Sequence, residues 1–424
     1  MEQKKVRLVL VGLGGYGGQY IIFLREYVDP DTFEFVGVVD PYAKKASEYE
    51  WVCNNNIPIY QTLEEFYEKD GADLAIISTP IPLHKEQVIY AMEHGSHVLC
   101  EKPIAPLIQD ALKMKEAAIK YQKLLGVGFQ WSFGKPLLDF KHDILSGVFG
   151  RPLSVKALTS WKRYDEYYDI GGWKGHIVDE KGGWILDSVA TNAASHYLSN
   201  LFFMLGDQMD TALMPEKVVA SVYRAKEIQS FDSCFIKGSF NNGCKFYYIA
   251  THSGVEEQDP VFEFEFTNGV VKLSDDKEHQ VLRAYFPDGS IKEYGLARSL
   301  SVSASKVSGM ISAIQKQGIV TGTVDSVIPH ITVTNAIFDQ VDIATFPKEL
   351  CHRVENPGGT FVHGLTEQCR KCYDDMLLPS EEGFSWAVKE KELYLVNYTR
   401  FSGQKYQNLR KEHGKKICIV GNSG

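Results

Sequence analysis

Between residues 5 and 130, short runs of consecutive apolar residues alternate with longer stretches whose apolar positions recur at helical spacing. The runs are VRLVLVG (6–12), FEFVGVVD (33–40), DLAIIST (73–79), HVLCEKP (97–103) and LLGVGFQ (124–130). Continuous apolarity marks strands buried on both faces, the condition of a parallel sheet. Between the runs lie YGGQYIIFLREY, TLEEFYEKD, KEQVIYAMEHG and IQDALKMKEAAIKYQK, amphipathic stretches with mostly charged outer faces. Strand and helix in alternation predict βαβ units and a parallel sheet.

Past residue 130 the rhythm changes. One helical stretch, NAASHYLSNLFFMLG (192–206), precedes strand-like segments KVVASVYRA (217–225), SCFIKGSF (233–240), CKFYYIATHSG (244–254), VFEFEFTNGVVKL (261–273) and VLRAYFPDGSIKEYG (281–295). Several alternate with period two. Asn242-Gly243, Asn268-Gly269 and Asp288-Gly289 stand where tight hairpin turns belong. An antiparallel sheet is expected, and residues 325–347 return to helix. From Cys351 onward, glycine, lysine and aromatics mix without a clear period, which reads as an extension. No internal repeat or low-complexity block interrupts the chain.

Composition narrows the class. A chain of 424 residues with 44% hydrophobic and 23% charged residues is a soluble globular protein of about two domains. A net charge of −9 argues against non-specific binding to nucleic acid or an anionic membrane surface. No apolar run is long enough for a transmembrane helix. The start, MEQKKVRLVLVG, reads as a first strand rather than a signal peptide, because its apolar run is short and ends in glycines. The eight cysteines are scattered, which fits a reducing cytoplasm better than a disulfide scaffold.

The first strand runs straight into Gly12-Leu13-Gly14-Gly15-Tyr16-Gly17 and then a helix. Glycine at 12 permits a tight turn, at 14 lets backbone approach a pyrophosphate, and at 17 lets helix and strand pack closely. The helix N-terminus offers unpaired N–H groups to phosphates. Asp40 ends the second strand, where an acid hydrogen-bonds ribose hydroxyls and repels a 2′-phosphate. NAD is therefore expected in preference to NADP, with a turn before Pro41 as the purely structural use of Asp40. In an open parallel sheet, ligands sit at the carboxyl ends of the strands. Those ends carry Ser78, Thr79, Pro80, Glu101, Lys102 and Gln130, and His84 follows close behind. They form a cofactor rim with one cation.

A second constellation lies in GGWILDSVATNAASHYLSNLFFMLG (182–206), with Asp187, Asn192 and His196. Asn192 and His196, four apart, would share a helical face, and histidine exchanges protons near neutral pH. A lone histidine on an apolar helix is more often structural; the grouping with Asp187 raises the functional reading. Upstream, TSWKRYDEYYDIGGWKGH (159–176) holds aromatics with Arg163, Trp173, Lys174 and His176. Such a set suits a sugar or polyol, or equally a surface loop whose aromatics pack down. Cys369 and Cys372 have zinc-like spacing but no second pair. In LTEQCRKCYDD they share a helical face, so no metal is expected.

These residues resemble the Gfo/Idh/MocA oxidoreductases, the family of glucose–fructose oxidoreductase and inositol dehydrogenase. The resemblance rests on GLGGYG (12–17), Asp40, STP (78–80), EKP (101–103), the stretch Gly147 to Pro152, and GGxxxD followed by His196, and covers roughly residues 5–347. It implies an N-terminal Rossmann domain (1–128), an α/β substrate and oligomerisation domain with a large, mostly antiparallel sheet (129–349), and an extension (350–424). It also implies a cytoplasmic enzyme that passes hydride between NAD and a hydroxyl carbon of a sugar, sugar derivative or inositol. Lys102, often followed by a cis bond, would sit beside the nicotinamide and polarise the substrate oxygen. His196 would exchange the hydroxyl proton, and Asp187 would bind a hydroxyl or orient these groups. The family places histidine four residues after the aspartate and a second aspartate three further on. Here Thr191 stands at the first place, His196 comes later, and Ser199 replaces the second aspartate. Thr191 and Asn192 join Lys102, Arg163, Trp173 and Lys174 as candidate substrate contacts. An open antiparallel sheet invites face-to-face pairing into a homodimer or homotetramer. The alternative within the same site is a glycoside hydrolase or glycoside oxidase that recycles bound NAD. A third is a non-catalytic dinucleotide-binding regulator.

Overall fold

A computed structural model describes residues 4–273 and 280–420 of the chain. Strands β1 (Val6–Val11), β2 (Phe33–Val39), β3 (Ile59–Tyr60), β4 (Leu74–Ile77), β5 (His97–Cys100) and β6 (Leu125–Val127) form one parallel sheet in the order β3-β2-β1-β4-β5-β6. The order reverses between β1 and β4, the point at which doubly wound sheets open a crevice for nucleotides. Alternate residues explain the unbroken apolar runs. Leu8 and Leu10 enter a core shared with Tyr20, Ile21 and Phe23 of the helix Gly17–Glu26. Val9 and Val11 enter the opposite core with Val88, Ala111 and Met114, from the helices His84–Glu93 and Ile108–Tyr121. The first of these cores is completed from far along the chain by Ala304, Val307 and Met310 of a helix, Leu300–Ile314.

The second sheet has ten strands. They are β7 (Pro152–Ser160), β8 (Lys217–Arg224), β9 (Ser233–Ser239), β10 (Lys245–Thr251), β11 (Gln258–Phe266), β12 (Gly269–Leu273), β13 (Val281–Tyr285), β14 (Ile291–Leu296) and β15 (Ile343–Thr345), joined by a strand of the extension. The order is β14-β13-β12-β11-β7-β10-β9-β8-β15. Only β10 with β7 and β15 with β8 run parallel. The three expected hairpin turns connect β9 to β10, β11 to β12 and β13 to β14. The central strand β7 was not among the strands expected from sequence: Ser154 and Lys156 interrupt its apolar run, and no hairpin turn adjoins it.

Both faces of this sheet are put to use. Inward-facing Val155, Ala157, Phe246, Tyr248 and Phe264 pack on the helix Ser195–Phe203. Outward-facing Leu158, Phe235, Tyr247 and Ile249 meet the extension: Leu365, Cys369, Cys372 and Tyr373 of the helix Leu365–Asp375, then Leu378 and Trp386. The paired cysteines are thus core residues on one helical face. The extension begins as a hairpin of β16 (Cys351–Val354) and β17 (Gly359–Val362), and later adds β18 (Lys391–Leu393) to β8. That addition covers otherwise unpaired edge groups of the sheet. The sheet face proposed for pairing between copies is therefore half-covered by the chain itself. The uncovered half, over β11–β14, carries ion pairs such as Lys272–Glu263 (2.7 Å) and Arg283–Glu293 (3.0 Å).

Candidate active site

The glycine loop leaves β1 at Gly12, whose φ of +90° suits glycine, and a side chain there would stand 2.7 Å from the Ser78 carbonyl oxygen. A Cβ at Gly17 would lie 2.0 Å from the Gly12 carbonyl oxygen, so only glycine lets the helix start this close to the strand. Gly14 and Gly15 face open space. Asp40 holds the loop in shape: its Oδ2 accepts from the N–H groups of Leu13 (2.8 Å) and Gly14 (3.2 Å), and its Oδ1 from Tyr42 (2.7 Å). A cleft of about 900 Å³ starts here and is lined by Gly12, Gly14, Gly15, Tyr16 and Asp40. Its wall continues through Ser78, Thr79, Pro80 and His84 to Glu101 and Lys102, and includes Trp173 and Asn192. An open glycine cradle, an acid beside it and a long cleft fit a dinucleotide.

His84 is buried, with its ring nitrogens against the carbonyl oxygens of Thr79 (2.8 Å), Pro103 (3.1 Å) and Ile104 (3.3 Å). It therefore ties the two strand-end loops together. The Thr79 hydroxyl donates to Gln87 Oε1 at 2.5 Å. Gln130 follows β6 as expected but does not line the cleft.

At Glu101 the sequence analysis missed a partner. Lys306, fully buried on the helix Leu300–Ile314, forms an ion pair with Glu101 Oε1. The Tyr20 hydroxyl donates to the same oxygen (2.6 Å), and Glu101 Oε2 accepts from the Lys102 backbone N–H (3.0 Å). Burial would raise the Glu101 pKa, but Lys306 outweighs it and holds the carboxyl below its ordinary value. Lys102 follows, with a cis bond to Pro103. Its Nζ donates to the Asn192 carbonyl (2.9 Å) and to Asn192 Oδ1 (3.3 Å). Burial pulls the Lys102 ammonium down to about 8, against the opposing charges of Glu101 and Asp187.

Asp187 arrives on a narrow loop in which Val178 bridges Trp184 and the Asp187 N–H reaches His176 O (2.9 Å). Leu186 beside it has φ +53°, a conformation a branched side chain rarely adopts and one that recurs at functional sites. Asp187 Oδ2 accepts from the Gly175 N–H at 2.5 Å, while Oδ1 is buried without a partner. Burial raises the Asp187 pKa to about 7. The helix begins at Ser195, later than its pattern suggested, so Asn192 precedes it and shares no helical face with His196. Asn192 instead lies in the turn before the helix, where it meets Lys102. His196 packs edge-on to Phe129 (5.4 Å between ring centroids), and its Nδ1 has no partner. Burial pushes the imidazole well below its ordinary value, and the neighbouring charges of Lys102 and Lys306 push the same way.

Thr191 turns into its own loop, donating to the Leu186 carbonyl (2.9 Å), and does not line the cleft. Arg163 and Lys174 gather around the Tyr167 ring, at 5.1 and 4.2 Å from its centroid. The Tyr167 hydroxyl accepts from Asn192 Nδ2 at 3.3 Å. His252, at the end of β10, was not anticipated. It is buried, its Nδ1 meets the Tyr168 hydroxyl (3.1 Å), and its Nε2 has no partner.

Residues 6–129 match the model of an oxidoreductase family with an NAD-binding Rossmann fold. Residues 6–129 are thus similar to the NAD-binding domain of the Gfo/Idh/MocA oxidoreductases. Among curated proteins, 2,7-anhydro-N-acetylneuraminate hydratase of Mediterraneibacter gnavus is 29% identical over 216 residues, 51% of this chain and 52% of that protein. scyllo-Inositol 2-dehydrogenase (NADP(+)) IolU of Bacillus subtilis is 35% identical over 148 residues, 35% of this chain and 43% of that protein. The chain thus spans about half the length of the curated relatives it matches. The fold carries further. The WlbA dehydrogenase of Bordetella pertussis, crystallised with NADH and UDP-GlcNAcA, superposes with a TM-score of 0.64 at 22% identity, over 79% of this chain and 96% of that one.

Proposed function

We propose that the protein is an NAD-dependent oxidoreductase acting on a hydroxyl carbon of a sugar, sugar derivative or inositol. The observation that carries the reading is Lys102 on the wall of the dinucleotide cleft, near enough to Asp187 and His196 for its charge to act on both, with Asp187 Oδ1 and His196 Nδ1 buried behind it and without protein hydrogen-bond partners. Leaving such atoms unpaired costs about 1–3 kcal/mol each, and a polyhydroxylated ligand supplies both donors and acceptors.

The glycine loop and Asp40 hold the adenosine and pyrophosphate side of NAD, and the rim from Ser78 to Lys102 the nicotinamide side. Bound there, the nicotinamide supplies reversible hydride exchange with a carbinol carbon. Lys102, near neutrality at about 8, donates a hydrogen bond to the reacting oxygen. His196, neutral and unpaired at Nδ1, takes the hydroxyl proton on oxidation and returns it on reduction. Asp187 Oδ1 accepts from a neighbouring hydroxyl. The wall from Trp173 to Tyr167 covers the other side of the substrate and limits water.

We extend the reading to a cytoplasmic location, in keeping with the free thiol of exposed Cys53, and to a homodimer or homotetramer paired through the uncovered strands β11–β14. The test is a panel of sugars, polyols and glycosides assayed with NAD for NADH formation and, separately, for aglycone release. Net NADH that falls by about 10²–10⁴-fold in Lys102→Met and His196→Gln supports the proposal. Aglycone release with no net NADH replaces it with the recycling glycosidase, and unchanged turnover in both variants removes the assigned roles.

A further inference from the structure

We propose that the substrate of this site is anionic, a carbohydrate bearing a carboxylate or phosphate that Arg163 and Lys174 bind; the inference rests on the oxidoreductase reading above. Its basis is a pair of cations that lack acids. Lys306 is matched by Glu101, and Arg353, beside the same loop, by Asp165 at 2.7 Å. Arg163 and Lys174 form no ion pair with any carboxylate among the described residues. The guanidinium Nε of Arg163 is buried and unpartnered, and the half-buried Lys174 rests on the Tyr167 ring.

Their position follows from the hydrogen bonds already described. Lys102 holds Asn192, Asn192 holds the Tyr167 hydroxyl, and the two cations flank that ring. The two cations are therefore linked to Lys102 through one asparagine and one tyrosine side chain, and lie behind the cleft wall rather than on it. A third cation, Arg298, stacks on Trp161 at 5.5 Å, as Arg163 does from its own side at 5.5 Å. Asp187, whose charge acts on Lys174, forms no ion pair with it and is held instead by the Gly175 N–H; Asp169 and Glu227 line the same pocket as Lys174, also without an ion pair to it.

Each cation gains a cation–π contact with the Tyr167 ring. That contact leaves the buried Arg163 Nε unsatisfied and does nothing to relieve repulsion between the cations. An anionic ligand resolves both, whereas a neutral hydroxyl accepts from Arg163 Nε but leaves the repulsion between the cations.

The test uses the full chain with saturating NAD and three matched sets: hexuronates, hexose phosphates and the parent neutral hexoses. Calorimetric binding and NADH formation are both measured. The expected result is at least tenfold tighter binding of one anionic set than of its neutral parents, weakening with salt. Arg163→Gln and Lys174→Gln should each erase most of that preference, with thermal stability and NAD affinity retained. Whichever set is preferred identifies carboxylate or phosphate. Equal binding of neutral and anionic members, binding by none, or a preference that survives the double variant overturns the proposal. Anion-selective binding without NADH formation refutes the oxidoreductase reading while leaving the anion subsite in place. NADH formation from neutral hexoses without preference does the reverse.

Discussion

Replacing Lys306 with methionine removes one half of a buried ion pair, and the ammonium that lies over the rings of Tyr16, Tyr20 and Phe23, while keeping an unbranched side chain. Glu101 cannot move to water: it is 7% exposed, and its oxygens are held by Tyr20 and by the Lys102 N–H. Breaking such a pair costs about 3–5 kcal/mol, because the remaining charge is left desolvated. The loss depends on pH, and its sign can be worked out. In the native protein the Glu101 pKa lies below its unfolded value, so its stabilisation is full above the unfolded pKa and is lost as pH falls through the folded one. Without Lys306, burial raises the Glu101 pKa above the unfolded value. Its contribution then declines as pH rises. The deficit of Lys306→Met should therefore be near its full size at pH 8 and clearly smaller at pH 5. Urea unfolding followed by tryptophan fluorescence at both pH values measures it. The double variant Glu101→Gln with Lys306→Met should recover much of the loss, since a neutral amide can remain bonded to Tyr20. A deficit under about 1 kcal/mol at pH 8, the range of an exposed pair, would refute the assignment. So would a double variant that simply adds the two single losses.

The remaining predictions concern the other elements of the site. Asp187→Asn should stabilise the protein at high pH while lowering turnover. A carboxyl raised from 3.8 to about 7 gives a stability that is full below the unfolded pKa and falls, by about 4 kcal/mol in all, as pH rises through the folded one; thermal unfolding across pH 4–8 should show the variant losing less than the parent. Gly17→Ala should weaken NAD binding by about tenfold or more, at least 1.4 kcal/mol, because its Cβ would lie 2.0 Å from the Gly12 carbonyl oxygen; fluorescence titration with NAD measures this. Trp386→Ala, at a site 7% exposed where the extension meets the second sheet, should cost about 3–5 kcal/mol, and light scattering should detect self-association through the loosened face.

The nucleotide domain was legible because its constraints are local. A strand buried on both faces must be continuously apolar, and the turn after β1 must be glycine at two contact points, so both are written in adjacent residues. The second sheet was legible where turns advertise it, at Asn242-Gly243, Asn268-Gly269 and Asp288-Gly289. It was opaque at β7. That strand lies between β10 and β11 with no hairpin of its own. Its Lys156 and Ser154 face the outer side, where Lys156 Nζ reaches the Tyr373 carbonyl of the extension (3.3 Å) and Ser154 reaches Glu265 (2.8 Å). Polar residues that look like interruptions along the chain are paired in space. The role of the extension was hidden for the same reason: Cys369 and Cys372 show a helical face in sequence, but only the sheet opposite says what that face covers.

The same distinction runs through the site. Lys102 could be located by its strand end, whereas Lys306 is separated from it by 204 residues and meets it only through Glu101. One signal was present. In Val302, Lys306 and Met310, a lysine interrupts a four-residue apolar stripe on the helix, and a charge on a buried stripe requires an acid somewhere in the core. The strand end EKP already held that acid, whose own partner was unassigned. Asn192 illustrates the opposite error. Counting four residues to His196 put both on one helical face, but the backbone enters the helix only at Ser195. The carbonyl of Asn192 is thereby free to bind Lys102 and the Ser195 hydroxyl (2.7 Å). The added residues between Asp187 and His196 form this turn, held by Thr191 on the Leu186 carbonyl. They put aspartate and histidine on separate segments, and bring the Asn192–Tyr167 link, with Arg163 and Lys174 against its ring, to Lys102.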